Sequence, residues 1–151
     1  MISERSQELK RFIYLFFETE AVYHKINVKM GISDSVLSIL YVILHNGDRR
    51  SLQEICRYAG LSKQTVHSAI QKMETLGLID LEMVNAKSKM VCLTKAGADL
   101  ARRTAGQVME IENSIFASWP REDVEKYLEL AERFLLALNE KAESIQKGET
   151  I

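Results

Sequence analysis

The residues best suited to hydrogen-bonding chemistry lie in one short stretch in the middle of the chain. Hydroxyl, amide and ammonium groups recur there on one side of a predicted helix, and apolar residues recur on the other side. Such a polar face can enter the major groove of B-DNA, where base edges present distinct donors and acceptors. The alternative is a solvated helix face, on which His67 is a surface histidine. The predicted contact residues are Ser62, Lys63, Gln64, Thr65, His67, Ser68 and Lys72, and the predicted buried side is Val66, Ala69, Ile70, Met73 and Leu76.

Basic residues outside this stretch could add attraction to phosphates. Lys87 lies in a polar loop between two predicted strands, and Lys89 lies just after it. Arg49 and Arg50 precede the third predicted helix. Cations of this kind position a protein on DNA but do not read its sequence. We therefore expect these four residues to contact the DNA backbone.

Composition and charge indicate one globular protein with a basic middle. The chain has 151 residues, of which 46% are hydrophobic and 27% charged, and this excludes wholesale disorder. No apolar run approaches the roughly 20 residues that span a bilayer, so we expect no membrane segment and a cytoplasmic location. Net charge is 0 over residues 1–46, +3 over 47–95 and −4 over 96–151. Only the middle of the chain is thus expected to meet a polyanion.

Hydrophobic periodicity and turn residues predict a mainly α protein with one β-hairpin. Gly31, Gly60 and Gly77 are expected to end three of the helices, and Gly97 and Gly106 are weak points in the fifth. A short helix, a tight turn, a second helix and a hairpin follow one another, which is the order of a winged helix-turn-helix. The helices are predicted at about 3–29, 33–45, 51–59, 62–76, 94–117 and 120–147, and the strands at 78–84 and 89–93.

The third predicted helix carries a capping box. The side chain of Ser51 can accept a hydrogen bond from the Glu54 amide, and the Glu54 carboxylate can reach back to the Ser51 amide. This pair places the helix start at Ser51.

The last predicted helix carries an apolar seam with heptad spacing, and the first is also strongly aromatic. Two such faces exceed what one small domain can cover, which favours a homodimer formed by the first and last helices. The alternative is packing within the chain. The seam consists of Val124, Leu128, Ala131, Leu135, Leu138, Ala142 and Ile145. The predicted interface residues are Leu9, Phe12, Phe16, Leu128, Leu135 and Leu138.

Neither a cofactor site nor a catalytic motif is predicted. Cys56 and Cys92 are expected to be packed or inert thiols, since a redox switch needs a lowered thiol pKa. Glu20, His24 and His45 fall short of the four ligands that tetrahedral zinc requires, so a salt bridge or surface role is expected for them. The chain contains no HExxH, GxSxG or glycine-rich phosphate loop, so we expect no metal, no cofactor and no enzyme activity.

Two segments resemble those of a known family. Residues 60–79 (GLSKQTVHSAIQKMETLGLI) are similar to the recognition-helix signature of the MarR family of transcriptional regulators. Residues 91–97 (VCLTKAG) are similar to the strand-to-helix LTxxG segment of that family. The order of elements also fits, so the resemblance covers nearly the whole chain.

The resemblance implies a single chain with a winged helix-turn-helix region at 32–95 and helical dimerisation regions at 1–30 and 96–151. It implies a homodimer that binds double-stranded DNA at a pseudo-palindromic operator. It further implies a repressor that responds to a ligand or to oxidation, with a small apolar or aromatic effector between the dimer helices and the winged domain. The operator, the regulated genes and the effector are not specified by the sequence.

The wing departs from the family pattern. Many members carry an Asp-x-Arg triplet, in which the Arg enters the minor groove and the Asp braces it, whereas this chain has Asn85, Ala86 and Lys87. Lysine keeps the charge but lacks the planar guanidinium, and asparagine cannot form the ion pair. We therefore expect a weaker, mainly electrostatic wing contact. This departure leaves open two alternatives, a winged-helix adaptor that binds a protein and a small-molecule sensor without specific DNA reading.

Overall fold

The computed structural model of the chain describes residues 6–149 and is mainly helical with one small antiparallel sheet. The predicted first helical residues, 3–5, lie outside that range. The helices are α1 (Ser6–Met30), α2 (Asp34–Leu44), α3 (Leu52–Tyr58), α4 (Lys63–Thr75), α5 (Lys95–Arg103), α6 (Ala105–Ser118) and α7 (Arg121–Glu143). The strands are β1 (Arg49–Ser51), β2 (Ile79–Asn85) and β3 (Ser88–Leu93), and the order in the sheet is β1-β3-β2. The predicted fold class, a winged helix-turn-helix with long terminal helices, is confirmed.

The first of two compact units extends to Met109 and contains the core. The apolar sides of α2, α3 and α4 meet in this core, and α5 and the start of α6 add small residues to it. The unit therefore extends past residue 95, the predicted end of the winged region. Its most deeply buried side chains include Ile39, Leu40, Ile43, Ile55, Val66, Met73, Ile79, Val91 and Val108.

Serine and threonine caps set the starts of four helices. Ser33, Ser51, Ser62 and Thr94 each accept a hydrogen bond from the amide three residues ahead, which satisfies a donor that the first turn would leave unpaired. At α3 the predicted reach of Glu54 to the Ser51 amide is replaced. The Glu54 carboxylate instead accepts from the Ser51 hydroxyl at 3.2 Å.

The predicted fifth helix is in fact two helices, and neither glycine is the break. The break lies at Thr104, whose φ of −116° and ψ of −82° leave the helical region. The Thr104 hydroxyl donates to the Leu100 carbonyl at 2.7 Å, a bond that competes with regular helix geometry. Gly97 lies within α5 and Gly106 within α6.

Other boundaries and burials also differ from the prediction. Strand β1 was not predicted, because three residues become a strand only by pairing with β3. Leu76, predicted to be buried, is 61% exposed, because it is the C-cap of α4 and follows the last helical turn. The last helix ends at Glu143 rather than near residue 147, which leaves Ile145 beyond it.

The second compact unit begins at Glu110 and contains the rest of α6 together with α7. Phe116, Trp119 and Tyr127 pack together where these helices connect, with ring centroids 5.5–6.1 Å apart, and Trp119 meets the other two rings edge to face. Pro120 is the N-cap of α7. None of the described residues of α7 is buried.

No single helix among residues 6–149 is long and apolar enough to cross a membrane. Only α1 and α2 taken together, with a 92° bend between them, reach the necessary length and composition.

Candidate nucleic-acid interface

The predicted polar face of α4 is exposed in the structure. Its inward side is buried among Val66, Ala69, Ile70 and Met73. This packing fixes the helix on the domain and turns its polar side to solvent. The exposed side chains are Lys63, Gln64, Thr65, His67, Ser68, Gln71 and Lys72, with Ser62 at the cap.

Two hydroxyls at the start of α4 are engaged with each other. Ser62 Oγ accepts from the Thr65 amide at 3.1 Å and donates to Thr65 Oγ1 at 2.7 Å. This arrangement makes Ser62 the N-cap of α4 and engages the Thr65 hydroxyl beside it. Lys63, Gln64 and His67 follow on the same exposed face and present the donors and acceptors available for base edges.

A groove lies on one side of α4, between α3, α4 and the β2–β3 hairpin. We call it the wing groove; its volume is about 660 Å³. Its lining carries three lysines and a histidine and no carboxylate. A site of this composition attracts an anion. The lining residues are Ser51, Leu52, Gln53, Cys56, Lys63, His67, Met83, Ala86, Lys87, Ser88 and Lys89.

The side chain of Asn85 holds the tip of the hairpin, although asparagine cannot form the ion pair of the family pattern. Asn85 Oδ1 accepts from the Lys87 amide at 2.9 Å, which forms a local turn. The side chain of Asn85 thus orders the backbone that carries Lys87. Asn85 therefore acts on the main chain at Lys87 and not on its ammonium group.

A second groove lies on the other side of α4 and was missed by sequence reasoning. We call it the α2 groove; its volume is about 450 Å³. Ser33 and Ser35, at the start of α2, lie there opposite Gln64 and Ser68. Helix packing alone brings these segments together, so no local sequence signal identifies the two serines. The face of α4 is thus divided between a cationic groove and a hydroxyl-rich one.

The two predicted arginine contacts are occupied within the protein. Arg50 donates to Glu54 at 3.0 Å and to the Val42 carbonyl at 3.2 Å, and its side chain is only 16% exposed. Arg49 pairs with Glu82 at 3.4 Å. The attraction of Arg50 and Ser51 to the Glu54 carboxylate holds the pKa of Glu54 below its ordinary value. Arg50 thus has little surface left for a phosphate, whereas the side chain of Arg49 remains 53% exposed in its ion pair.

A polar cluster joins α1 to the first turn of α2. Asn27 Nδ2 donates to Asp34 Oδ1 at 2.9 Å, and His24 Nδ1 lies 2.8 Å from Asp34 Oδ2. The hydrogen bond from Asn27 lowers the pKa of Asp34. Burial partly opposes this effect, and the hydrogen bond and charge of His24 add to it. His24 thus has a hydrogen-bond partner in Asp34, in line with the salt bridge or surface role expected for it. Within residues 6–149 no group of three or more His, Cys, Asp or Glu side chains could hold a metal ion.

The two cysteines lie on different sides of the sheet region. Cys56 lines the wing groove. Cys92 lies next to buried Val91 in β3 and therefore points to the outer face, where its Sγ donates to Glu82 at 3.7 Å. Burial raises the pKa of the Cys92 thiol, aided by the charge of Glu82. A raised pKa is the opposite of what a redox-sensing thiol requires.

The residues predicted for the dimer interface are all exposed. Those on α1 and those on α7 each form an apolar face on their own helix. Further large apolar side chains on both helices are exposed beside them. The exposed predicted residues are Leu9, Phe12 and Phe16 on α1, and Leu128, Leu135 and Leu138 on α7.

An exposed polar helix behind a tight turn, flanked by a basic hairpin, defines a winged helix-turn-helix DNA-binding protein. Residues 30–86 match the sequence model of the MarR family. Over these residues the chain is similar to the MarR family, whose members are DNA-binding transcriptional regulators and not enzymes. No curated protein sequence is significantly similar to it.

Solved structures share this fold over most of the chain. NMB1585, a MarR family regulator from Neisseria meningitidis, has a TM-score of 0.77 at 17% identity, covering 94% of this chain and 98% of that one. MepR from S. aureus, solved in complex with DNA, has a TM-score of 0.65 at 19% identity, covering 91% and 99%. NadR, solved with 4-hydroxyphenylacetate, has a TM-score of 0.70 at 17% identity, covering 89% and 96%.

Proposed function

We propose that this chain is a homodimeric, ligand-responsive repressor that binds a pseudo-palindromic operator. The observation that carries the proposal is the exposed polar face of α4 between two grooves. Lys63, Gln64, His67 and Ser68 contact base edges in the major groove, and Ser62 and Thr65 cap the helix beside the backbone. The amides at the start of α4 also favour a nearby phosphate.

The backbone contacts are assigned to the lysines. Lys87 and Lys89 line the wing groove, and Lys72 lines the α2 groove. Each groove flanks α4, as the two sugar-phosphate strands flank a helix in the major groove. MepR, a protein of the same fold, was solved bound to DNA, which supports this class of partner.

A dimer explains the apolar faces of α1 and α7. Leucine and phenylalanine side chains at this density rarely remain in water on a monomer. A two-fold dimer places two α4 helices about 34 Å apart, the spacing of successive major grooves on one side of B-DNA. The proposed operator is therefore a pair of inverted half-sites.

The effector is proposed to be a small apolar or aromatic compound. The support is the shared fold with NadR, which was solved with 4-hydroxyphenylacetate. A regulator that occupies its operator excludes other proteins from that DNA, and release by an effector restores access. This ligand-dependent release is the repressor behaviour that we propose.

Selection of bound sequences from random DNA tests the proposal. We expect enrichment of one inverted repeat with half-site centres about one helical turn apart. Lys63→Ala and Gln64→Ala variants should lose the enrichment while remaining folded. Recovery of no preferred sequence would contradict the proposal and favour the adaptor or sensor alternatives.

Sedimentation tests the dimer. Leu135→Asp places a charge in the apolar face of α7 and should yield folded monomers with weakened operator binding. Glu132→Asp, a conservative change on the same helix, should leave the dimer intact. A Leu135→Asp protein that remains dimeric would exclude this face as the dimer contact.

A further inference from the structure

Met83 is a large apolar side chain in a groove that is lined with lysines. It is 57% exposed, although Lys63, Lys87 and Lys89 share its groove. The other apolar or nearly apolar lining residues are Leu52, Ala86 and Cys56. These residues leave more than half of Met83 exposed, so its side chain is available to contact a bound molecule.

Strand register determines where Met83 points. Met83 pairs with Lys89, and two residues back Leu81 pairs with Val91, which is fully buried. Because side chains alternate along a strand, Met83 lies on the same face of the hairpin as the core residue Val91. The hairpin extends past the end of the core at this point, so Met83 overhangs the groove instead of the protein interior.

The groove's charge decides the class of occupant. Three ammonium groups and no carboxylate in its lining favour an anion. A DNA strand alternates anionic phosphates with apolar deoxyribose faces, and therefore matches lysines interspersed with a thioether. The bond from Asn85 to the Lys87 amide holds the tip of the hairpin, so these groups are presented in a fixed arrangement.

We propose that one sugar-phosphate strand of the operator lies in the wing groove, with Met83 packed on a deoxyribose between phosphates bound by Lys87 and Lys89. This inference rests on the proposed function and adds an affinity-determining residue to it. Met83 thus supplies the part of wing binding that does not depend on charge.

Val84 provides a matched control. It is the next residue, is also 57% exposed, and is absent from the described lining of the groove. Met83→Ala should weaken binding to the selected operator by about fivefold, the effect of removing one to two buried methylene groups. Val84→Ala should leave binding unchanged.

Salt dependence separates the sugar contact from a disturbance of the lysines. Met83→Ala removes no charge, so its slope of log affinity against log salt should equal that of the wild type. Lys89→Ala should flatten that slope by about one unit. Unchanged affinity in Met83→Ala, an equal loss in Val84→Ala, or a flattened slope in Met83→Ala would each overturn the inference.

The same series distinguishes this inference from the proposed function. If Gln64→Ala loses operator binding and Met83→Ala does not, only the role of Met83 fails. If neither variant changes binding, the whole assignment of the DNA surface fails. Because Met83 is exposed, Met83→Ala should keep the wild-type melting temperature, which is measured alongside.

Discussion

Gly97→Ala is expected to destabilise the fold far more than a glycine-to-alanine change in a helix normally does. An added Cβ at Gly97 would lie 1.8 Å from the Leu78 carbonyl oxygen and 2.8 Å from its carbon. Both atoms belong to the main chain, so no rotamer change can relieve the clash. The first turn of α5 would have to move away from the start of β2 by more than an ångström.

That movement would relieve the clash but would also disturb the packing of the core. Ala98 and Ala101 follow Gly97 on α5 and are buried in the core. Thr94 ties the same turn to the Gly77 carbonyl at 2.6 Å. We expect a loss of about 3 kcal/mol of unfolding free energy, the upper part of the usual range for overpacking. In a domain of this size the melting temperature should fall by about 6–12 °C.

Gly106→Ala is the matched control for this experiment. An added Cβ there would meet the Ala101 carbonyl oxygen at 3.6 Å and Leu44 at 3.7 Å, which are ordinary contacts. Because Gly106 lies in a helix, alanine should stabilise the protein by about 0.5–1 kcal/mol. Thermal and urea unfolding measure both variants. Equal effects of the two substitutions, or an unchanged Gly97→Ala protein, would refute the reasoning.

Three further predictions concern binding and pH. Gln64→Ala should weaken operator binding by about 1–3 kcal/mol and leave binding to unrelated DNA nearly intact; an equal loss on both, in a direct titration, would exclude base reading. Lys87→Ala should weaken binding to every sequence and flatten the salt slope by about one unit, and an unchanged slope would exclude a phosphate contact. Asp34→Asn should lower stability at neutral pH, because the depressed pKa of Asp34 means that its ionised form stabilises the fold. In urea unfolding, this difference in stability from the wild type should shrink as the pH falls below 3.8 and passes through the lower pKa of Asp34 in the folded protein. A difference in stability that does not change with pH would contradict the prediction.

The recognition helix could be predicted because its signals are local. A serine cap, an apolar stripe at helical spacing and a closing glycine all lie between residues 60 and 77. The cap bond from the Thr65 amide to Ser62 and the burial of Val66 and Met73 confirm that interpretation. The same locality explains why the hairpin was predicted to within a few residues.

The contacts of the arginines could not be predicted, because they depend on the tertiary fold. Arg50 lies eight residues from Val42 in sequence, and only the folded α2 brings that carbonyl within 3.2 Å. Glu82 reaches Arg49 only because β1 and β2 flank the same strand. A basic residue near a DNA-binding helix therefore indicates a phosphate contact only if the protein leaves it free.

The role of Gly97 could not be predicted for a different reason. Sequence rules interpret Gly97 as a flexible point, since glycine weakens a helix. The structure instead gives it a steric role, because the Leu78 carbonyl lies where a side chain would start. The break in the helix falls at Thr104, where a hydroxyl binds the carbonyl four residues back. A flexible glycine can be told from one that is required for steric reasons only when its distance to residues far away in the sequence is known.

Thiol protection by DNA tests the central claim most directly. Cys56 lies in the wing groove and Cys92 on the outer face of the sheet, so the chain carries its own probe and control. Single-cysteine proteins, Cys92→Ser and Cys56→Ser, would be treated with a thiol reagent with and without the selected operator. Operator DNA should slow the modification of Cys56 by at least about tenfold, as expected for a site that is mostly occupied, and leave the rate at Cys92 unchanged. Equal rates at Cys56 with and without bound DNA would contradict the placement of DNA across α4 and the wing groove.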